Sequence, residues 1–222
     1  MNGVEIMAAI EYTFEKCLKC GTVISEEEAS DMVVDIVRSI VSDPNSIEVF
    51  VSPRDMYEAL CSIGIEKNKE EFYQIVASTP AAEAYPVEGR ITISDELMRV
   101  LTREGLIDID VIDVKKSIHG KIHYYIWKMT ELMEMYMKHF EIKEMTKEYV
   151  EAFFIHIRTH EQTHMLQTDE DMEGVEVTVL AYKQAMAGDG VAYWNLKHEA
   201  AANLASFNAL QTYMEDRPYL NK

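Results

Sequence analysis

Residues 146–167 read TKEYVEAFFIHIRTHEQTHMLQ, and their apolar side chains recur every three or four positions. This spacing is typical of an amphipathic α-helix, and Thr146 is suited to accept hydrogen bonds from the free backbone N–H groups of its first turn. The predicted buried stripe consists of Val150, Phe153, Phe154 and Ile157. The interpretation of the rest of the chain depends on this helix.

The same stripe continues onto three polar residues, His160, Glu161 and His164, in the pattern HExxH. Polar side chains on an inward face are costly unless they are paired or coordinated. Four residues of α-helix turn through about 400°, so the two imidazoles lie about 40° apart on one face and can share a cation. Glu161 lies beside them and can accept a proton from water at the metal. The alternative is a pair of ordinary buried histidines with a salt-bridging glutamate.

A catalytic zinc site needs a third protein ligand and one open coordination position. The best candidate is Glu199, at the start of the alanine-rich segment HEAAANLA, and His198 is its main rival. Small alanine side chains would allow this helix to pack closely against the HExxH helix. Asn203, one turn further on, could hydrogen-bond a ligating histidine. Alternatively, Glu199 is an exposed residue in a first turn, where the helix dipole stabilises it.

The pattern HExxH at residues 160–164, followed by Met-Leu-Gln167 and, one helix later, by Glu199-Ala-Ala-Ala-Asn203, resembles the gluzincin metallopeptidases, which include the small intracellular ImmA/IrrE-like proteins. The form HExxHxxQ also occurs in other, uncharacterised zincin families. The resemblance covers about residues 146–206. It implies a zincin-like unit in which His160, His164 and Glu199 bind zinc, Glu161 is general base and acid, and Asn203 supports the site. Ala201 stands where ImmA-like proteins often carry a second acidic residue, so the subfamily and the substrate stay open.

Peptide hydrolysis also needs a hydrogen-bond donor for the developing oxyanion. Tyr193 and His198 lie nearest to Glu199 in sequence, and Tyr182 is a third candidate. A zincin usually aligns its peptide substrate along an exposed strand edge. The sequence offers three candidates for this edge, which are Arg90–Ser94, Ile107–Val114 and Ile122–Trp127.

Other histidines and cysteines suggest different metal chemistry. His156 with His160, and His119 with His123, are pairs at helical spacing that could build a second site or a dinuclear centre in a helical bundle. Carboxylate-bridged centres of that kind use ExxH on two helices, and here only Glu161 with His164 provides one. A CxxC motif formed by Cys17 and Cys20 resembles half of a zinc ribbon, but no second CxxC follows it.

Composition excludes several classes of partner. Acidic residues outnumber basic ones by 39 to 21 among 222 residues, so the net charge of −18 disfavours nucleic acid and anionic membrane surfaces. No apolar stretch reaches the roughly 20 residues that a membrane-spanning helix needs. Three cysteines and an N-terminus without a basic segment favour an intracellular, cytoplasmic protein acting on a protein or peptide.

The chain as a whole predicts a helix-dominated α+β fold with a small sheet. Helices are expected at about 5–20, 26–42, from 53 after an N-cap at Ser52, and at 68–77, 95–102, 172–187 and 195–215. Ile47–Val51 is a predicted strand, and Ile122–Trp127 is either a strand or the start of a helix. The best linker, Ser78–Gly89, separates a mostly helical region, 1–88, from the zincin-like region, 89–222, although the two could pack as one domain. The expected function is a zinc metallopeptidase, and the alternative is a catalytically inactive zincin scaffold with a structural or interaction role.

Overall fold

The computed structural model describes residues 1–62, 72, 80–85, 100, 103 and 120–221. Eight helices are defined there: α1 Gly3–Cys20, α2 Glu26–Val41, α3 Pro53–Ser62, α4 Ile126–His139, α5 Lys147–His164, α6 Val175–Met186, α7 Val191–Trp194 and α8 Lys197–Glu215. Three strands are β1 Glu48–Val51, β2 Ala82–Tyr85 and β3 Lys121–Tyr125, and 3-10 turns cover Asp169–Asp171 and Pro218–Asn221. The described part of the chain is therefore helix-dominated α+β, as the sequence predicts.

The helix starts follow the capping residues in the sequence. Thr146 accepts a hydrogen bond from the backbone N–H of Tyr149 at 3.3 Å, which confirms it as the N-cap of α5. Ser52 caps α3 in the same way, through the backbone N–H of Asp55 at 3.2 Å. The predicted helices at 5–20, 26–42, 172–187 and 195–215 are confirmed to within a few residues. None of the described helices is both long enough and apolar enough to span a membrane.

The sheet has the strand order β1-β3-β2, with β1 parallel and β2 antiparallel to β3. The ambiguous stretch Ile122–Trp127 is divided, because the strand ends at Tyr125 and α4 begins at Ile126. Since β3 is the inner strand, Ile122–Trp127 is not an exposed edge, and that candidate for the substrate edge is wrong. The interpretation of Ser78–Gly89 as a linker is also wrong for residues 82–85, because pairing with β3 makes a strand of the weakly strand-forming sequence AEAY.

Several predicted features fall on residues that are not described. The strands at 90–94 and 107–114 lie there, together with the proposed boundary between residues 88 and 89. So do the helices at 68–77 and 95–102, apart from Phe72 and Val100.

The largest core cluster joins the two ends of the described chain. It includes Phe14 of α1, Phe153 of α5, Leu210 of α8 and Tyr124 of β3, all fully buried. Burial of such side chains stabilises the fold by about 1.5–3 kcal/mol each. The start of α1 approaches the end of α7 so closely that a β-carbon at Gly3 would collide with the Trp194 carbonyl. This packing holds α8 against α5, and the candidate site lies between these two helices.

A charged contact fixes the sheet relative to α5. Arg158 donates through Nε and Nη2 to the two carboxylate oxygens of Glu48 on β1, both at 2.8 Å. Tyr124 on β3 donates its hydroxyl to the same carboxylate at 2.8 Å. Bidentate pairing of this kind specifies orientation as well as contact. The residues that follow Arg158 on α5 are therefore held at a defined distance from the sheet.

Candidate metal centre

His160 and His164 lie on the last turns of α5, and Glu199 lies on the first turn of α8. One ligand atom from each residue falls within 4.8 Å of the other two, and within the part of the chain that the structure describes no other such group of three occurs. The two Nε2 atoms are 3.0 Å apart. Glu199 Oε2 lies 3.4 Å from Nε2 of His160 and 3.8 Å from Nε2 of His164. These distances place three donor atoms around one point.

Close packing of α5 and α8 brings the three side chains together. Ala202 is completely buried, and Ser206 donates its hydroxyl to the backbone carbonyl of His156 at 2.9 Å. A hydrogen bond from a side chain as short as serine requires the two helix backbones to approach closely. Glu199, which is 5% exposed, therefore projects directly onto the histidine face of α5.

Burial and the neighbouring charges act in opposite directions on the pKa values of Glu199, His160 and His164. Burial raises the pKa of Glu199, but the hydrogen bond to His160 and the fields of the histidines prevail and lower it to about 2. Burial lowers the pKa of His160, but contact with Glu199 prevails, so that its pKa is raised. For His164, burial is not fully offset by Glu199, and the pKa falls to about 4. An anionic Glu199 thus faces two imidazoles, and this donor set could hold a metal ion.

Each donor residue is held from behind by a second polar side chain. Nδ1 of His160 lies 3.0 Å from the Asn203 side-chain oxygen, and Nδ1 of His164 lies 2.7 Å from that of Gln167. Tyr193 donates its hydroxyl to Glu199 Oε1 at 2.6 Å. These contacts leave both Nε2 atoms and Glu199 Oε2 directed at one another. The sequence singled out Asn203 for this role, whereas Gln167, which follows His164 by three residues in the pattern HExxHxxQ, was assigned no role.

Glu161 is buried on the sheet side of α5, next to β2. Burial raises its pKa to about 7, the charges of Glu199 and Glu83 add to this rise, and His160 together with a hydrogen bond from the backbone N–H of Ala84 opposes it. The carboxylate is thus adjacent to the donor group without belonging to it. The contact with β2 was not foreseeable, because the sequence predicted no strand at Ala84.

The candidate oxyanion donors lie near Oε1 of Glu199, the carboxylate oxygen that does not belong to the group of three donor atoms. Tyr193 bonds that oxygen directly, and the ring of Tyr182 packs edge-on against Tyr193 with centroids 5.2 Å apart. His198 Nε2 is 3.7 Å from Glu199 Oε1. Its Nδ1 is buried and has no hydrogen-bond partner among the described residues. His198 is outside the group of three donors, which favours Glu199 over His198 as the third candidate ligand.

Among the described residues, the other histidines and cysteines are outside the group of three donors. His156 is buried one turn before His160, with ring centroids 6.0 Å apart and an Nδ1 that no described residue hydrogen-bonds. His123 lies on strand β3, so its expected helical pairing with His119 is wrong, and His119 itself is outside the described residues. Cys17 is buried in the last turns of α1, Cys20 is half-buried, and Cys61 is exposed on α3.

Comparisons with known protein families, with curated protein sequences and with solved structures found no match to this chain. The geometry of the site therefore has to support any functional conclusion by itself.

Proposed function

We propose that this protein is a zinc-dependent peptidase of the gluzincin type, with His160, His164 and Glu199 as zinc ligands and Glu161 as general base and acid. The observation that carries the proposal is the approach of these three ligand atoms to within 4.8 Å of one another across two helices. Two imidazole nitrogens and one carboxylate oxygen match the protein ligands of catalytic zinc sites, which keep a fourth position open.

Zinc bound there would supply Lewis acidity, polarising a peptide carbonyl and lowering the pKa of water to about 7. Three side chains support the proposed ligands, which are Asn203, Gln167 and Tyr193. Each hydrogen-bonds an atom of a ligand residue that faces away from the common point, either an imidazole Nδ1 or Glu199 Oε1.

Glu161 has the properties of a group that moves a proton near neutral pH. Its carboxylate is buried, and its pKa of about 7 allows it to accept a proton from water and return it to the leaving amine. The backbone N–H of Ala84 bonds the carboxylate and fixes its direction. Among the described residues, the groups that mainly act on its pKa are His160, Glu199, Glu83 and the backbone of Ala84.

Strand β2 supports a peptide as the substrate. The backbone N–H of Tyr125 donates to the Ala81 carbonyl at 3.0 Å, so the pair Ala81–Tyr125 is a hydrogen-bonded one. Hydrogen-bonded pairs alternate along an antiparallel ladder, so the backbone groups of Ala82 and Ala84 point away from β3. Ala84 uses its N–H for Glu161 on this side. Among the described residues no strand pairs with this side of β2, and a peptide that adds to it as a further strand would pass directly beside the proposed base.

The test is the substitution Glu161→Gln, with Glu144→Gln as the matched control because Glu144 is exposed and precedes α5. Glutamine keeps the shape of the side chain but cannot accept a proton. Zinc content and thermal stability are expected to stay close to those of the unchanged protein, whereas peptide cleavage falls by at least ~10² to 10⁴. Cleavage is assayed on peptide mixtures and cell lysate by mass spectrometry of new termini.

Two outcomes would contradict the proposal in different ways. Cleavage that persists in Glu161→Gln would reject Glu161 as the base. A protein that binds zinc but cleaves nothing across a broad peptide screen would instead support the inactive scaffold with a structural or interaction role.

A further inference from the structure

Gln167 lies just after α5 and is 7% exposed, and both ends of its side-chain amide are used. Its Oε1 is 2.7 Å from Nδ1 of His164. Its Nε2 donates to the backbone carbonyl of His198 at 2.8 Å. Gln167 therefore joins one candidate ligand, His164, to the residue that precedes another, Glu199.

The backbone carbonyl fixes the orientation of this amide. A carbonyl oxygen can only accept a hydrogen bond, so the NH₂ group of Gln167 must face His198. The amide oxygen must then face His164, and because this oxygen also only accepts, Nδ1 of His164 must carry a proton. A neutral imidazole carries one ring proton, so its Nε2 is left with a free lone pair. That lone pair is directed at His160 and Glu199.

We infer that Gln167 is a positioning residue, which selects the Nδ1–H tautomer of His164 and sets the spacing between that ligand and Glu199. The inference rests on the proposed metal site and goes beyond it, because it specifies which ring nitrogen is available and why. A glutamine that only filled space in the core would make no contribution to the tautomer. The inference can therefore be tested in the metal-free protein as well as with zinc.

The test compares three variants of the full chain. Gln167→Met keeps the length of the side chain and removes both hydrogen bonds. Gln167→Glu keeps an acceptor for His164 and removes the amide donor to His198. Gln211→Met is the matched control, because Gln211 is an exposed residue of α8. The tautomer of His164 is read from its ring ¹⁵N chemical shifts in metal-free protein, and zinc affinity is measured by competition with a chromophoric chelator.

The expected results separate the two parts of the inference. His164 carries its proton on Nδ1 in the unchanged protein and in Gln167→Glu, and it becomes a tautomer mixture in Gln167→Met. Zinc affinity falls about 10- to 100-fold in Gln167→Met, falls less in Gln167→Glu, and is unchanged in Gln211→Met.

A proton on Nε2 of His164 in the unchanged protein would overturn the inference, and this measurement is decisive even when Gln167→Met fails to fold. An unaltered tautomer and zinc affinity in folded Gln167→Met would overturn it as well. Absence of zinc binding by the unchanged protein would reject the metal site but not the selection of the tautomer, which the metal-free spectra decide separately.

Discussion

Helix α5 carries two buried polar clusters that differ in how their charges are matched. In the first, Arg158 pairs with Glu48, and Tyr124 adds a third hydrogen bond to the same carboxylate. In the second, His160 and His164 approach each other to 3.0 Å between ring nitrogens and share one carboxylate oxygen of Glu199. The first cluster is complete, with one permanent cation for one anion. In the second, the ion-pair partners of Glu199 among the described residues are all histidines, which are cationic only when protonated.

This difference separates a structural cluster from a candidate binding site. A buried charge is costly unless it has a partner with good geometry, and the guanidinium of Arg158 provides one for Glu48. At the second cluster a proton on an imidazole is the only positive charge that these three side chains themselves provide. A divalent cation would satisfy all three ligand atoms at once. The comparison predicts that the second cluster responds to metal and that the first does not.

The largest expected effect is on zinc affinity when the third candidate ligand is changed. Glu199→Gln removes the negative charge and is expected to weaken zinc binding by more than about 100-fold, since even supporting residues contribute 10- to 100-fold. His198→Ala is expected to leave affinity nearly intact, because its ring is outside the group of three donors. Isothermal titration of both variants checks this. The reverse pattern would assign the ligand role to His198.

The second effect is the loss of stability when the metal is removed. Zinc at about 100 times its dissociation constant would stabilise the folded state by about 2.7 kcal/mol. For a chain of this size the loss corresponds to a melting temperature about 5–10 °C lower after chelation. Differential scanning calorimetry with elemental analysis measures it, and the double variant His160→Ala, His164→Ala is the control that should show no chelator effect. A melting curve unaffected by confirmed metal removal would count against a native site.

The sequence predicted the residues of the second cluster better than the residues that surround them, because helical spacing is local and strand pairing is not. The spacing of His160 and His164 is a local property of a helix, so their common face followed from the pattern alone. Glu199 and Asn203 were found because they too lie on one helix at fixed spacing. The contacts of Gln167 and Ala84 were not predicted, because they depend on where the chain goes after α5 and on strand pairing between distant residues.

The first cluster was also missed, for the same reason. Glu48, Tyr124 and Arg158 are far apart in sequence, and no spacing rule joins a strand residue to a helix residue 110 positions away. The linker prediction at Ser78–Gly89 was wrong at β2 because proline and glycine mark the ends of a segment and do not exclude a short strand between them. Local periodicity therefore predicted the candidate ligands, whereas the contacts of the residues that support them required the tertiary structure.

The third effect tests the first cluster. Arg158→Met keeps the apolar stem but leaves Glu48, whose side chain is 8% exposed, without its cation. Loss of the partner of a buried hydrogen-bonding group costs about 1–3 kcal/mol and more for a charged one, but the partial exposure of Arg158 keeps the expected loss within about 1–3 kcal/mol. Urea unfolding measures the change, and zinc affinity is the second readout. Unchanged stability would indicate that the ion pair is energetically neutral.

The smallest expected effect is the pH dependence of the same pair. Burial acts to raise the pKa of Glu48, but hydrogen bonds from Arg158, then Tyr124, prevail, so the folded-state pKa lies below the usual value. The pair's contribution to stability is therefore complete above the unfolded-state pKa of about 4.3 and is lost as pH falls through the folded-state pKa.

The measurement compares the unchanged protein with Glu48→Gln, by urea unfolding at several pH values between neutral and acidic. Subtracting the two free energies of unfolding cancels the titration of every other group that the substitution leaves undisturbed, including the histidines of the second cluster. The difference is expected to be constant from pH 7 to about 5.5 and to shrink steadily below about 4.3, because Glu48 then becomes protonated and resembles the glutamine. A difference that instead changed between pH 7 and 6 would place the titrating group among the histidines and would mean that the two clusters are coupled through α5.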